Sequence, residues 1–195
     1  AIEHLRTHIQ TVASRYSGQL IAWDVVNEAI LDGVKLPENG DWKQCLRQGA
    51  WYQAIGDDYI ELAFQFAHEA DPEARLYYND YNLNDQNKAE IVAAMFKDLK
   101  SRGIPVDGIG MQSHYNVNLA SAAVERSIEL FEEAGAEISV TELDVTVNGA
   151  SSSGLTEEQE IAQAQVYAEL FQIYREHADS IARVTFWGID DAHSW

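Results

Sequence analysis

The sequence predicts an α/β fold built on a parallel sheet, and three observations carry that expectation. Short apolar runs alternate five times with segments of helical periodicity. The runs are apolar along most of their length, as in strands covered on both faces. Each run then empties into polar or aromatic residues, the arrangement that gathers chemistry at one end of a parallel sheet.

The elements follow in order. Ile2, Leu5, Ile9, Val12 and Tyr16 recur at helical spacing, and Gly18 ends that helix. Residues 20–26 read as the first strand, running into Asn27 and Glu28. A long loop follows, punctuated by Gly33, Pro37, Gly40 and Gly49. Tyr59, Ala63, Phe64, Ala67 and Ala70 mark a helix stopped at Pro72. Residues 75–78 form the second strand, ending at Asn79, Asp80, Tyr81 and Asn82. Ile91, Met95 and Leu99 mark a helix that stops at Gly103, and residues 106–111 form the third strand, ending at Gln112, Ser113 and His114. Val124, Ile128 and Phe131 mark a helix closed by Gly135, after which residues 137–141 form the fourth strand with Glu142 at its end. Thr156 with Gln159 three residues on is a capping box opening a helix through Val166, Leu170 and Tyr174. Residues 181–187 form the fifth strand.

Size and charge bound the function. The 195 residues make one domain, yet a complete eight-unit βα barrel takes about 250. Thirteen Lys and Arg against 32 Asp and Glu give a net charge of −19. Such a chain is expected to repel nucleic acid and anionic membranes, and its charge either suits a neutral or weakly charged substrate or serves solubility alone. No run of about 18 apolar residues spans a membrane. Cys45 is the single cysteine, so no internal disulfide forms. The chain enters a helical pattern at Ala1 with no leader, which predicts further sequence before it.

Polar strand ends arranged around a closed sheet converge on one mouth. An open doubly wound sheet spreads them along a line and usually offers a glycine-rich first turn, absent here. Two carboxylates, Glu28 and Glu142, stand where apolar strands empty. Hydrolysis of a sugar acetal needs such a pair, one to protonate the departing oxygen and one to attack or activate water. Taken singly, each is more often a loop residue or helix cap; the pair, together with the other polar strand ends, favours catalysis. His114, on the neighbouring strand end, is placed to orient Glu142 or to serve as a satisfied structural histidine. Trp187 and Trp195 offer flat rings for sugar faces, although tryptophan is also a common core residue. His4 and His8 have metal-pair spacing without an accompanying carboxylate motif, so a surface or packing role is expected.

Several motifs in order resemble family 10 glycoside hydrolases, which are mostly xylanases. They are Trp23-Asp24-Val25-Val26-Asn27-Glu28-Ala29, Trp51-Tyr52 with Ile55-Gly56, and Tyr77-Tyr78-Asn79-Asp80-Tyr81-Asn82. Gly108-Ile109-Gly110-Met111-Gln112-Ser113-His114, Thr141-Glu142-Leu143-Asp144 and Thr185-Phe186-Trp187-Gly188 complete the set, which covers essentially the whole chain. The resemblance implies a (β/α)₈ barrel of which residues 1–195 supply strands four to eight, as a single partial catalytic domain. It implies hydrolysis of internal β-1,4-xylosidic bonds with retention, Glu28 as acid/base, Glu142 as nucleophile, and no metal or cofactor. Asn27 would bond the 2-hydroxyl of the sugar being cleaved. His114 and Asp144 would support Glu142, with Gln112 beside them. Trp187 and Trp195 would wall the glycone side, and Tyr81 and Asn82 would line the aglycone side. The partner would be xylan or xylo-oligosaccharide, with neither nucleic acid nor membrane, and the location extracellular.

The departures are the three absent strands and the absent closing helix, plus a Ser151-Ser152-Ser153-Gly154 loop. Five barrel strands leave two open edges and, by expectation, an uncovered apolar interior. Missing segments from the same or another chain would have to complete the barrel. Two other readings stand beside this one: a polysaccharide-binding remnant without turnover, and a sugar isomerase holding a divalent cation on Glu28, Glu142 and His114.

Overall fold

The computed structural model describes residues 1–147 and 154–190. Residues 151–153 of the serine-rich loop, and Trp195, lie outside the described residues.

The chain runs α1 (Ile2–Arg15), β1 (Ala22–Asn27), a 3₁₀ turn (Trp42–Cys45), α2 (Ala50–Ile55), α3 (Tyr59–Ala70), β2 (Arg75–Asp80), α4 (Gln86–Ser101) and β3 (Gly108–Met111). It continues with β4 (His114–Asn116), α5 (Ser121–Glu133), β5 (Glu137–Thr146), α6 (Glu157–Glu176) and β6 (Ile181–Phe186). Every strand pairing is parallel. β5 lies between β3 and β6, with β4 pairing its carboxyl-terminal half. A helix lies between the two members of each paired set of strands, as parallel pairing requires, whereas β3 and β4 follow one another directly and both pair with β5.

Alternation along the strands sorts the side chains into two layers. Leu76 and Tyr78 of β2, Ile109 and Met111 of β3, and Ile138 and Val140 of β5 point outward into the core under the helices. There they meet Phe64, Phe96, Phe131 and Leu170. Tyr77, Asn79, Ser139 and Thr141 point the other way, with Arg183 of β6 donating to Ser139 at 2.7 Å. The inner face is therefore largely polar, which corrects the expectation of an uncovered apolar interior. Apolar exposure lies instead near the two ends of the sheet. Ile21 precedes β1 and is 74 % exposed, while Phe186 at the end of β6 is 56 % exposed. β1 and β6 are the open edges that a partial barrel must have.

Strand limits shift by one or two residues at most ends, and three larger differences from the sequence reading bear on the site. β5 runs through Glu142 to Thr146 instead of stopping before it. His114 begins a second short strand, β4. The long loop after Glu28 is structured: Ile30 pairs with Leu46, and Trp42 donates its indole N–H to Asp98 of α4 at 3.0 Å. The predicted capping box at α6 is present, Thr156 accepting from the Gln159 backbone and returning its own N–H to the Gln159 side chain.

Candidate active site

Irregular strand ends build the mouth. Among the described residues, three non-glycine residues adopt a left-handed backbone: Glu28 (φ 56), Asn82 (φ 55) and Ser113 (φ 65), just after β1, β2 and β3. L-residues rarely occupy this region, and they cluster where a site demands it. Ladder bonds hold the geometry, Glu28 N–H donating to Asn79 O at 2.9 Å and Glu142 N–H to Gln112 O at 3.1 Å.

A register shift turns Glu142 inward. Met111 pairs with Val140, but His114 pairs with Asp144, so β5 carries one extra residue in that interval. The pairing with β6 also shifts between Val140 and Leu143. In a regular strand Thr141 would face inward and Glu142 outward. One added residue resets the alternation, so both Thr141 and Glu142 reach inner-face partners. Leu143 then packs outward, fully buried.

Amide side chains join the two glutamates. Asn79, buried at the end of β2, donates Nδ2 to Glu142 Oε1 at 2.9 Å and to Asn27 Oδ1 at 3.0 Å. Its Oδ1 accepts from Thr141 Oγ1 at 2.7 Å. Gln112 donates Nε2 to Glu28 Oε1 at 2.9 Å and to the same Asn27 Oδ1 at 3.2 Å. Because Asn27 Oδ1 takes two N–H groups, its Nδ2 is fixed as a donor beside Glu28, 3.4 Å from Oε1. Gly110 makes room for this set. A Cβ there would stand 2.4 Å from Asn79 Oδ1.

His114 bridges two carboxylates. Its Nδ1 lies 3.0 Å from Asp144 Oδ1 and its Nε2 3.3 Å from Glu142 Oε2. Trp187 meets the imidazole edge-on, ring centres 6.4 Å apart, and keeps 48 % of its surface exposed. Below the pair, desolvation pushes the Asp24 carboxyl up; the Arg183 guanidinium pulls it back, and the Glu142 charge pushes it up again. Tyr81 joins Asp32 and Arg47 through its hydroxyl, and Asn82 is exposed at the rim. His4 and His8 are exposed on α1. Among the described residues, no group of three or more His, Cys, Asp and Glu could hold a metal ion.

The sequence profile of "Glycosyl hydrolase family 10" matches residues 1–195. The chain belongs to glycosyl hydrolase family 10. This family 10 chain is 40 % identical over 200 residues to an endo-1,4-β-xylanase of Geobacillus stearothermophilus, covering all of this chain and 58 % of that protein. A family 10 endoxylanase from a sugarcane soil metagenome superposes with a TM-score of 0.90 at 35 % identity, over all of this chain and 58 % of that one. An intracellular xylanase mutant of Thermoanaerobacterium saccharolyticum, in complex with xylotriose, gives 0.88 at 39 % identity with the same coverage. The chain thus spans under two thirds of the length of these relatives. Its parallel sheet is part of the family's barrel.

Of the residues singled out from sequence, Glu28, Glu142, Asn27, Gln112, His114 and Asp144 form one bonded set, with Trp187 against it. Asn79 and Thr141 were not singled out as site residues, although Asn79 bonds both Asn27 and Glu142. The signal was available. Asn79 follows Tyr77 at strand spacing, and a polar residue deep in a parallel strand needs partners.

Proposed function

We propose that this chain carries the catalytic pair of a retaining endo-1,4-β-xylanase, with Glu142 as nucleophile and Glu28 as acid/base. One observation supports this above all: the amide set of Asn79, Asn27 and Gln112 bonds both glutamates at one strand-end mouth. Asn79 aims one oxygen of Glu142 while His114 faces the other. A carboxylate so held is oriented for attack on an anomeric carbon.

In the first step Glu28 gives its proton to the glycosidic oxygen as Glu142 forms a bond to the sugar. In the second, Glu28 takes a proton from water, which attacks the xylosyl ester and releases Glu142. Two inversions give retention. Asn27 Nδ2 is the donor for the 2-hydroxyl, a bond that tightens in the transition state. Trp187 walls the glycone side, and Tyr81 with Asn82 lines the aglycone side. The substrate is xylan or a xylo-oligosaccharide, an uncharged polymer compatible with a net charge of −19. Complementing barrel segments, from the same or another chain, complete the cleft. A polymer is met outside the cell, so an extracellular site of action belongs to this reading, whereas the Thermoanaerobacterium relative is described as intracellular.

The test is the anomeric configuration of the first product by proton NMR, together with Glu142→Ala. Retention and a loss of about 10⁴-fold or more in turnover support the proposal. Inversion, or near-normal release of reducing sugar by the variant, overturns it. Glycan binding without release would identify a binding remnant instead.

A further inference from the structure

Glu28 sits in a left-handed turn, and the two amides that follow it are held from outside the barrel. Ala29 N–H and Ile30 N–H both donate to the Tyr78 hydroxyl, at 3.0 and 3.1 Å. That hydroxyl donates in turn to Asp80 Oδ2. Asp80 accepts from Lys88 Nζ at 2.8 Å through its other oxygen. All three side chains are essentially fully buried, on the helix-facing side of β2 away from the cleft. Lys88 also reaches Asp32 at 3.0 Å, four residues beyond Glu28.

A buried lysine, aspartate and tyrosine carry a high desolvation cost unless each is satisfied. Hydrophobic residues would fill the same core space more cheaply. What this polar line uniquely supplies is a fixed acceptor for two consecutive N–H groups of a strained turn. We infer that Tyr78, held by Asp80 and Lys88, is a positioning residue that sets the backbone of Glu28 and so aims its proton at the departing oxygen. The inference rests on the proposed role of Glu28. None of the three side chains bonds the substrate-facing amide set; Asp80 and Lys88 also touch Tyr81, through its N–H at 2.9 Å and its ring at 3.9 Å, whereas the two bonds from Tyr78 to Ala29 and Ile30 reach Glu28 through the main chain.

The consequence is selective. Cleavage of a xylo-oligosaccharide needs the proton from Glu28, whereas an aryl xyloside with a dinitrophenolate leaving group forms the covalent intermediate without it. In Tyr78→Phe, kcat/KM on the oligosaccharide should fall about tenfold or more, while that on the aryl xyloside changes by less than about threefold. Hydrogen exchange at Ala29 and Ile30 should accelerate while Ile109 and Ile138 stay protected. Equal losses on both substrates, or unchanged exchange at those two amides, overturn the inference. Asp80→Asn, which keeps the shape and loses the charge, serves if Tyr78→Phe does not fold; because Asp80 also holds the Tyr81 N–H, faster exchange at Ala29 and Ile30 is its deciding readout, and unchanged exchange there overturns the inference. Glu28→Ala separates the two claims. If it leaves oligosaccharide cleavage intact, the assignment of Glu28 fails, and the exchange of two amides still decides whether Tyr78 holds the turn.

Discussion

At Gly110 the missing Cβ is what lets Asn79 stand between the glutamates. Asn79 is tied by three hydrogen bonds, so an added methyl group would displace the amide itself rather than a free chain end. Gly110→Ala is therefore expected to lower turnover about a hundredfold, the scale of a 1 Å misplacement, with a smaller effect on substrate binding. Steady-state kinetics with thermal melting checks this. A variant with wild-type kcat would show that Asn79 does not aim Glu142. At this scale the sequence was legible where a motif named a residue and silent where packing assigned it a task. Glu28, Glu142 and His114 were readable from their strand-end positions. Asn79, Thr141 and Tyr78 were not singled out, because their work depends on which face of the strand each one occupies.

Among elements, Asp71 ties three together. It is buried after α3 and accepts from Trp23 Nε1 of β1 at 2.9 Å, from Gly18 N–H at 3.1 Å and from Ser17 Oγ at 3.0 Å beyond α1. Burial would raise its carboxyl, but the bonds from Trp23, Gly18 and Ser17 outweigh that and hold it below the usual range. A depressed value in the folded state means stability that is present above about pH 4 and lost as pH falls through the folded value. Asp71→Asn should cost about 1–3 kcal/mol at neutral pH. The melting difference from the unaltered protein should shrink below about pH 4. A difference independent of pH would contradict the assignment. The order of helices and strands was legible from periodicity and glycine or proline punctuation. The full length of β5 was not, because its register shift interrupts the alternation that marks a strand, at the point where Glu142 turns inward.

For the whole molecule, the two unpaired strand edges decide behaviour in solution. β1 and β6 end the sheet, with Ile21 and Phe186 exposed beside them. Open edges template association with other chains. The isolated chain is expected to elute as aggregates or oligomers and to melt with weak cooperativity. Adding the complementary barrel segment in trans should yield a discrete species with a sharp transition. Size-exclusion chromatography with circular dichroism checks this, and a cooperative soluble monomer would contradict it. The sequence indicated the missing strands through motif order, but not the polarity of the inner face. That polarity follows from side-chain facing, which apolar runs do not reveal.

The most direct test of the catalytic pair is to trap the intermediate with a 2-fluoro xylobioside bearing a good leaving group. Fluorine at C2 destabilises positive charge at the anomeric carbon and slows the second step more than the activated first. Mass spectrometry of the digested protein should then find the sugar on the peptide carrying Glu142, and on no peptide of Glu142→Ala. A label on another carboxylate, or product formation with no covalent adduct at all, would contradict the account.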